Sequence, residues 1–338
     1  MSRHGPITAY RLILKRHRLL WRSFRSRHAL TSVADRTASI RPDDILVVMV
    51  VRNEALRLPW FLEYYRALGV GHFLIVDNQS TDGTAELLAQ APDVSLWTTP
   101  ASYREARFGL DWASWLLMHY GHGHWCLLLD ADELLVYAHH RERNLPDLTR
   151  WLEGQGRLGF GALMLDMYPR GPLGSPVTEP KTDPIKDLCW FDSSPYKAIR
   201  QEPMRNLWVQ GGARERVFFR DMPGRSPTLN KLPLIKWNRR WAYVNSTHSI
   251  LPSRLNRLYD GPGGKEPSGI LLHTKFLHDV VDRATEDMQR KQHFHDPEAL
   301  GPYYREIAAQ PTMWHEGSVR YQGWEQLEAL ELMSSGGW

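Results

Sequence analysis

Three acidic residues follow directly on a run of apolar residues near the middle of the chain. Residues 125–129 read Trp-Cys-Leu-Leu-Leu, and Asp130, Asp132 and Glu133 fall within the next four positions. The apolar run predicts a buried strand, and open α/β sheets form their ligand crevice at the carboxyl ends of such strands. Two carboxylates this close repel each other unless a cation neutralises them. A divalent ion that also binds a diphosphate would do so, because hard cations prefer oxygen ligands. The alternative is an acidic turn that caps a following helix.

A second apolar run ends in an acid in the same way. Residues 72–76 are followed by Asp77, and a polar turn then leads into a predicted helix at 85–90. Asp82 in this turn is of a residue type that caps helices, so part of the turn serves to start that helix. Capping does not require Asp77. A carboxylate at a strand end, facing the same crevice, suits a ribose hydroxyl or the N–H of a base.

The predicted elements around these acids alternate between strands and helices. Residues 45–51 form a strong buried-strand pattern, and Arg52, Asn53 and Glu54 follow it before a predicted helix at 58–68. Three strand–helix units in series predict an α/β fold with a mostly parallel sheet and right-handed crossovers. The first turn lacks G-x-G-x-x-G, and the chain has no G-x-x-x-x-G-K-[ST]. These absences argue against a dinucleotide fingerprint and against a P-loop.

Four more segments have patterns of their own. Residues 105–120 have the apolar spacing of a helix, and residues 159–168 that of another strand. Residues 169–184 are rich in Pro and Gly, and long loops of this kind often cover binding sites. Residues 279–309 read as a charged helical region. The second half of the chain is therefore expected to complete the fold and to contribute a lid.

Three motifs occur in a fixed order: R-N-E at 52–54, D-N-x-S-x-D-G-T at 77–84 and D-A-D-E at 130–133. With the surrounding segment 45–137 they resemble a bacterial branch of the family 2 glycosyltransferases. The later blocks "GGARERVF", "KLPLIKW", "STHSIL" and "LLHTKFL" are similar more weakly. The resemblance implies a GT-A-like fold, a mostly parallel sheet flanked by helices. It also implies transfer of a sugar, with inversion, from a nucleotide-sugar to a glycan or lipid-linked acceptor, with UDP as the expected nucleotide.

The resemblance also suggests how the chain is divided. Residues 1–41 are expected to be a basic N-terminal segment, residues 42–275 a GT-A-like domain, and residues 276–338 a helical C-terminal extension. Within the domain, the nucleotide-sugar half is expected at 42–165 and the acceptor half at 166–275. All three ordered motifs then lie in the nucleotide-sugar half.

Sugar transfer requires that the departing diphosphate be stabilised and that the donor be held. Resemblance and chemistry together give these donor-binding candidates: Arg52, Asn53, Glu54, Asp77, Asp82, Arg107 and Asp130. Arg104 competes with Arg107 for the diphosphate. A Mn²⁺ or Mg²⁺ ion bridging the diphosphate oxygens would stabilise the leaving group. The candidate metal ligands are Asp130, Asp132, His248 and His273.

The acceptor hydroxyl must also lose a proton, and a carboxylate with a near-neutral pKa would serve as the base. Glu215, in the block Gly-Gly-Ala-Arg-Glu-Arg, is the predicted base because the two glycines allow a ligand to approach closely. The flanking arginines give the alternative, a surface cluster of ion pairs. Asp187 and Asp192 are rival candidates for the base.

The N-terminal segment differs in charge from the rest of the chain. Residues 1–34 hold eight basic residues and no acid, whereas the remainder holds 34 basic and 38 acidic residues. Apolar residues alternate with these bases at helical spacing, which predicts an amphipathic helix on an anionic membrane surface. A solvated basic tail is the alternative, and nucleic acid is not the expected partner. No apolar run of about 18 residues is present, as a membrane-spanning helix requires.

The two cysteines, Cys126 and Cys189, form neither a disulfide framework nor a metal motif. The chain needs no oxidising compartment and is expected in the cytoplasm. The basic N-terminal segment suggests a peripheral position at the inner face of the membrane and fits a polysaccharide or lipid-linked acceptor. Two other functions fit the same residues. A metal-dependent phosphohydrolase would use Asp130 and Asp132 to hydrolyse simple phosphate esters. A non-catalytic carbohydrate- or nucleotide-binding protein would bind without turnover.

Overall fold

A computed structural model describes residues 5–175, 178–290 and 301–338. Outside these lie Arg3 of the basic segment, residues 176–177 of the predicted loop, and residues 291–300 of the predicted helical region. The helices are α1 (Pro6–Ser26), α2 (Leu58–Ala67), α3 (Thr84–Gln90), α4 (Leu110–His119), α5 (Leu145–Gly154), α6 (Gly212–Phe218), α7 (Val280–Arg290), α8 (Gly301–Ala308) and α9 (Trp324–Ala329).

The strands are β1 (Thr31–Ala34), β2 (Ile45–Val51), β3 (Val70–Asp77), β4 (Val94–Thr98), β5 (Trp125–Leu128), β6 (Glu133–Val136), β7 (Gly159–Asp166), β8 (Trp190–Phe191), β9 (Tyr196–Gln201), β10 (Asn206–Gly211), β11 (Asn230–Lys236), β12 (Ala242–Tyr243), β13 (Ile250–Leu251), β14 (Ser268–His273) and β15 (Val319–Arg320). Short 3₁₀ helices lie at Arg27–Ala29, Thr37–Ser39, Pro184–Lys186, Pro223–Arg225 and Ser253–Arg257.

A nine-stranded sheet forms the centre of the molecule, in the order β1-β4-β3-β2-β5-β11-β7-β14-β6. Six strands run in one direction, and β1, β11 and β6 run against their neighbours. The predicted α/β class with a mixed, mostly parallel sheet is confirmed. Because β11 is reversed, it begins on the side of the sheet where β5 and β7 end.

The central strands are buried along almost their whole length. Residues 46–49 of β2 and residues 73–76 of β3 have essentially no exposed surface. A parallel strand covered on both faces requires such continuous apolar sequence, since neither side meets water. Helices α4 and α2 pack on β2 and β3. The core therefore lies around the strands that end in the three sequence motifs.

Most predicted elements appear close to their predicted bounds, with two informative differences. The helix predicted at 105–120 begins only at Leu110. Arg107, Phe108 and Gly109 have φ angles of 55°, 58° and 75°, which a right-handed helix does not accommodate. The second difference follows Asp132. The chain continues into β6 and not into a helix, so the interpretation of these acids as a helix cap is wrong.

The N-terminal segment is an ordered part of the molecule. Helix α1 packs against α4, and β1 pairs antiparallel with β4 at one edge of the sheet. The described residues of this segment are therefore not the partly disordered tail of the alternative interpretation, although the outer side of α1 is exposed to solvent. Within the described part of the chain, no helix combines the length and apolar character needed to cross a membrane.

Candidate functional site

A cavity of about 330 Å³ lies where the carboxyl ends of β2, β5, β7 and β14 meet the start of β11. Its volume is within the range of sites that bind small molecules and cofactors. Seven of the eleven predicted site residues line it, namely Arg52, Asn53, Glu54, Asp130, Asp132, His248 and His273. The reason is topological, because parallel neighbouring strands deliver their last residues to one edge of the sheet.

A chain of four polar side chains runs from the cavity into the protein. Nε2 of His273 lies 3.2 Å from Oδ2 of Asp132, and its Nδ1 lies 2.7 Å from Oδ1 of Asp166. Arg214 donates a hydrogen bond of 2.7 Å from Nε to Oδ2 of Asp166. Asp166 and His273 are register partners at the ends of β7 and β14. Their strand pairing thus fixes the orientation of the His273 ring.

The charges in this chain stabilise one another. Burial alone would raise the pKa of Asp132, but the charge of His273 holds that pKa well below its ordinary value. Burial disfavours the charged form of His273, yet Asp132 and Asp166 raise its pKa overall. Arg214 lowers the pKa of Asp166 against the effect of burial. The neighbours thus favour the charged forms of all three groups against the effect of burial.

Lys231, near the start of β11, forms a second buried cluster beside the first. Its Nζ lies 2.8 Å from Oε1 of Glu133 and 3.4 Å from Oδ2 of Asp130. Burial lowers the pKa of Lys231, but Glu133 and Asp130 raise it by more than burial lowers it. The ammonium therefore stays charged. The side chain of Asp130 is 61% exposed, whereas that of Glu133 is 1% exposed. Asp130 thus reaches the cavity, while Glu133 pairs with Lys231 in the protein interior.

The residues of the D-N-x-S-x-D-G-T motif mainly support the turn after β2. Asp77 is buried and accepts hydrogen bonds from both N and Oγ of Ser80. Oγ of Ser80 accepts from N of Asn53, and a carboxylate oxygen of Asp82 accepts from N of Ala55. Neither Asp77 nor Asp82 lines the cavity. This turn fixes the backbone that presents Arg52, Asn53 and Glu54.

Helix α7 covers the cavity and is joined to the same turn by ion pairs. Arg283 pairs with Glu54, and Arg57 donates to both carboxylate oxygens of Asp279 at 2.6 and 2.7 Å. Val280 of α7 also lines the cavity. The loop at 169–184 was the expected lid, but none of its described residues lines the cavity. The cover comes from α7 and α8.

The structure places the other predicted residues outside the cavity. Arg107 lies 3.1 Å from Asp111 and donates at 2.9 Å to the carbonyl of Tyr243, which ties α4 to β12. Glu215 accepts a hydrogen bond of 2.7 Å from Ser226.

The rival bases are also held by neighbours outside the cavity. Asp187 accepts from Thr178 at 2.7 Å, and Asp192 forms an ion pair with Arg216 at 2.8 Å. None of the three carboxylates suggested as the base by the sequence is therefore brought to the cavity.

His248 lines the cavity as a neutral imidazole. Its Nδ1 lies 2.5 Å from the carbonyl oxygen of Asn230, which can only accept, so Nδ1 carries the proton. Burial, reinforced by the charge of Lys231, lowers the pKa of His248 to about 3. Its Nε2 therefore keeps a lone pair at neutral pH, as a metal ligand or a hydrogen-bond acceptor needs.

The arrangement around His273 fits a divalent metal ion in part. Two cis ligands of an octahedral ion with bonds of about 2.1 Å lie about 3 Å apart, close to the 3.2 Å between Asp132 and His273. A histidine ligand ordinarily donates its other N–H to a carboxylate, as Nδ1 does here toward Asp166. In the described residues no cluster of three or more Asp, Glu, His or Cys side chains is positioned to hold a metal. Ligand oxygens would have to complete the shell.

Sequence reasoning missed three residues of the site: Asp166, Arg214 and Lys231. Asp166 had the same signal as Asp77, an acid at the end of an apolar strand. Lys231 directly precedes the apolar residues 232–235 of β11, a visible signal, but only the reversed direction of β11 brings it to the cavity. Arg214 gave no signal that separated it from the neighbouring arginine at 216.

Comparisons with known proteins add nothing to this geometry. Neither the models of protein families nor the curated proteins gave a match to the chain.

Proposed function

We propose that the protein is a metal-dependent glycosyltransferase that takes a sugar from a nucleotide-sugar. One observation carries the proposal. A single cavity joins the R-N-E turn to Asp130 and Asp132 of the D-A-D-E motif, with His273 3.2 Å from Asp132. The order of the motifs along the chain supports it independently.

The charges around the cavity suit a ligand that carries both signs. Its lining includes six cationic side chains, Arg52, Arg57, Arg214, Lys231, Lys275 and Arg283, and four acidic ones, Glu54, Asp130, Asp132 and Glu286. Three of the cations, Arg57, Arg214 and Lys231, are also paired with the acids Asp279, Asp166 and Glu133. A diphosphate bound with a divalent ion fits this mixture, since the ion neutralises the acids and the cations neutralise the phosphates.

Separate roles follow for the two sides of the cavity. Asp132 and His273 would hold the metal, which stabilises negative charge on the departing diphosphate when bound. Lys231 would place a second positive charge beside the phosphates without needing a metal. The nucleoside would lie against the wall of the cavity that contains Asn53 and Asn78. The bound donor would then lie across the ends of the strands.

The cavity offers a base other than Glu215. Of its acidic lining residues, Glu54 and Asp132 are engaged by Arg283 and His273. Asp130 is largely exposed at the cavity and has Lys231 at 3.4 Å as its ion-pair partner. We assign acceptor deprotonation to Asp130 as the alternative to Glu215.

Nucleotide binding tests the proposal directly. Melting temperatures would be measured with UDP, GDP or CMP and the corresponding sugars, with and without Mn²⁺ or Mg²⁺. A ligand that binds only the folded state raises the melting temperature by mass action. One nucleotide should give a metal-dependent rise in wild type that Asp132→Asn abolishes. Asp221→Asn, the same change at an exposed site, is the matched control and should respond like wild type.

Turnover separates the proposal from its alternatives. With the matching nucleotide-sugar, wild type should release nucleotide, and Asp132→Asn should not. Hydrolysis of p-nitrophenyl phosphate without any nucleotide effect would instead favour a phosphohydrolase. A metal-dependent shift with no turnover across a broad panel of sugar and lipid acceptors would favour a binding protein.

A further inference from the structure

The inner side of α1 is fixed to the protein body. Ser23 is buried, and Oγ of Ser26 donates a hydrogen bond of 3.0 Å to the carbonyl of Asp111 in α4. Arg22 forms an ion pair of 2.9 Å with the buried carboxylate of Asp111. These contacts determine which face of the helix is turned to the protein body and hence which face is turned outward.

The outer side of α1 exposes an unusual amount of apolar surface. Ile7, Tyr10 and Trp21 are 68%, 61% and 60% exposed. The exposed large apolar side chains on the helix are Ile7, Tyr10, Ile13, Leu14, Trp21 and Phe24, of which Phe24 also packs edge-on against Trp115 of α4. At about 100° per residue these six lie within an arc of roughly 120°. A continuous apolar stripe of this kind marks an interaction surface.

A row of basic residues borders the stripe on one side. Arg11, Lys15, Arg18 and Arg25 lie in the next arc of about 80° on the same helix. All four are exposed, and no acidic residue occurs in residues 1–34 to offset them. The outer face thus combines apolar side chains with cationic ones along the whole helix.

We propose that this face docks α1 in the plane of an anionic lipid bilayer. Apolar side chains of such helices insert about 5–10 Å into the boundary between headgroups and acyl chains, while the bases pair with lipid phosphates. A second copy of the chain fits less well, because a twofold contact through this face would bring two basic rows together. Nucleic acid would leave the apolar stripe in water.

Docking would also orient the cavity, and this consequence rests on the proposed function. Arg22 donates a hydrogen bond of 2.8 Å to the carbonyl of Glu105, and Tyr103 of the same segment lines the cavity. The membrane-facing helix is thus joined directly to one wall of the site. An acceptor carried on a lipid in the same membrane is the substrate class that this arrangement suits.

Vesicle sedimentation tests the docking without any donor or acceptor, so its result does not depend on transferase activity. The full-length protein should sediment with vesicles of phosphatidylcholine containing about 30% phosphatidylglycerol and not with pure phosphatidylcholine. Arg11→Glu/Arg18→Glu should weaken binding at least about tenfold. The matched control is Arg239→Glu/Arg240→Glu, which makes the same change in net charge at exposed residues elsewhere and should bind like wild type.

The apolar stripe has its own variant, Ile7→Ser/Tyr10→Ser, which should weaken binding even at low salt. Its control is Ile199→Ser, an exposed apolar residue far from α1 in the sequence. Equal melting temperatures would show that all variants fold. Equal sedimentation of the two charge-reversal variants would overturn the proposal. So would wild-type self-association that is lost in Ile7→Ser/Tyr10→Ser while no variant binds vesicles.

Discussion

The turn at 77–84 and the segment at 130–133 look alike in sequence, but the structure uses them differently. Each comes after an apolar strand and begins with an aspartate. Asp77 is buried and is bound by Ser80, three residues later in its own turn. Asp132 is bound by His273, which comes from the distant strand β14, at 3.2 Å. The first acid is satisfied locally and the second across the sheet.

The difference arises from the conformation of the chain just after each acid. After Asp77 the chain turns, and a serine hydroxyl and backbone N–H come within reach of the carboxylate, as in other turns built on aspartate. After Asp132 the chain enters β6 directly, so no local donor reaches the side chain. An acid at a strand end is therefore available to bind a ligand or a distant side chain when the next residues form a strand and not a turn.

The largest expected effect tests whether the 130–133 segment depends on partners from distant strands. Lys231→Met would leave the buried carboxylate of Glu133 without its cation, at a cost of about 3–5 kcal/mol in the free energy of unfolding. Urea unfolding measures it. Adding Glu133→Gln should restore most of the loss. A loss below about 1 kcal/mol would mean that the cluster is weaker than its burial implies.

The next effect separates the two aspartates by activity. Asp132→Asn should lower sugar transfer by about 100-fold or more, because it removes a proposed metal ligand while keeping the side-chain shape. Asp77→Asn should lower transfer by less than about tenfold, because its carboxylate does not line the cavity. Initial rates at saturating donor measure both. Equal losses in the two variants would mean that Asp77 and Asp132 contribute equally to sugar transfer.

A smaller effect tests the supporting role of the 77–84 turn. Ser80→Ala removes a hydroxyl that donates to Asp77 and accepts from the N–H of Asn53. We expect a loss of about 1–2 kcal/mol in stability, with weaker donor binding as the R-N-E turn loosens. Ser32→Ala, an exposed serine on β1, is the control and should be neutral within about 0.5 kcal/mol. A Ser80 variant as stable as this control would contradict the role.

The smallest effect concerns Glu215. The sequence predicts it to be the base, in which case Glu215→Gln should lower transfer by about 100-fold or more. Its position beside Ser226, outside the cavity, leads us to expect a change of less than about threefold, with Asp130→Asn the larger loss. The pair of variants decides between the two carboxylates, since both keep the shape of the side chain.

The sequence was most informative about features that depend on short stretches of chain. The apolar runs at 45–51 and 159–168 predicted strands because burial on both faces excludes polar residues. Alternation of strands and helices then gave the mostly parallel sheet. The reversed direction of β11 was not predictable, since its apolar pattern is the same whichever way the strand runs.

For the site, the strand-end acids of 130–133 and the R-N-E turn were predicted to lie together, and they do. Contacts between side chains from different strands were not predictable from the sequence. Asp166 orients His273 only because β7 and β14 are register partners, and Lys231 meets Glu133 only through β11. The polar residues after Asp77 predicted a turn, in which Ser80 could bind the carboxylate. The prediction that Asp77 faces the ligand crevice was preferred over this explanation.

Because β11 comes late in the sequence, the central sheet cannot be completed until the ribosome has synthesised this strand. Its partner β5 ends at Leu128, and β11 begins at Asn230. At synthesis rates of about 5–20 residues per second, the edge of β5 waits roughly 5–20 seconds for that partner. An unpaired apolar strand edge is a template for aggregation. Chains that stall or are truncated before Asn230 would expose this edge permanently, so chaperone demand should be highest while the middle of the protein is being made.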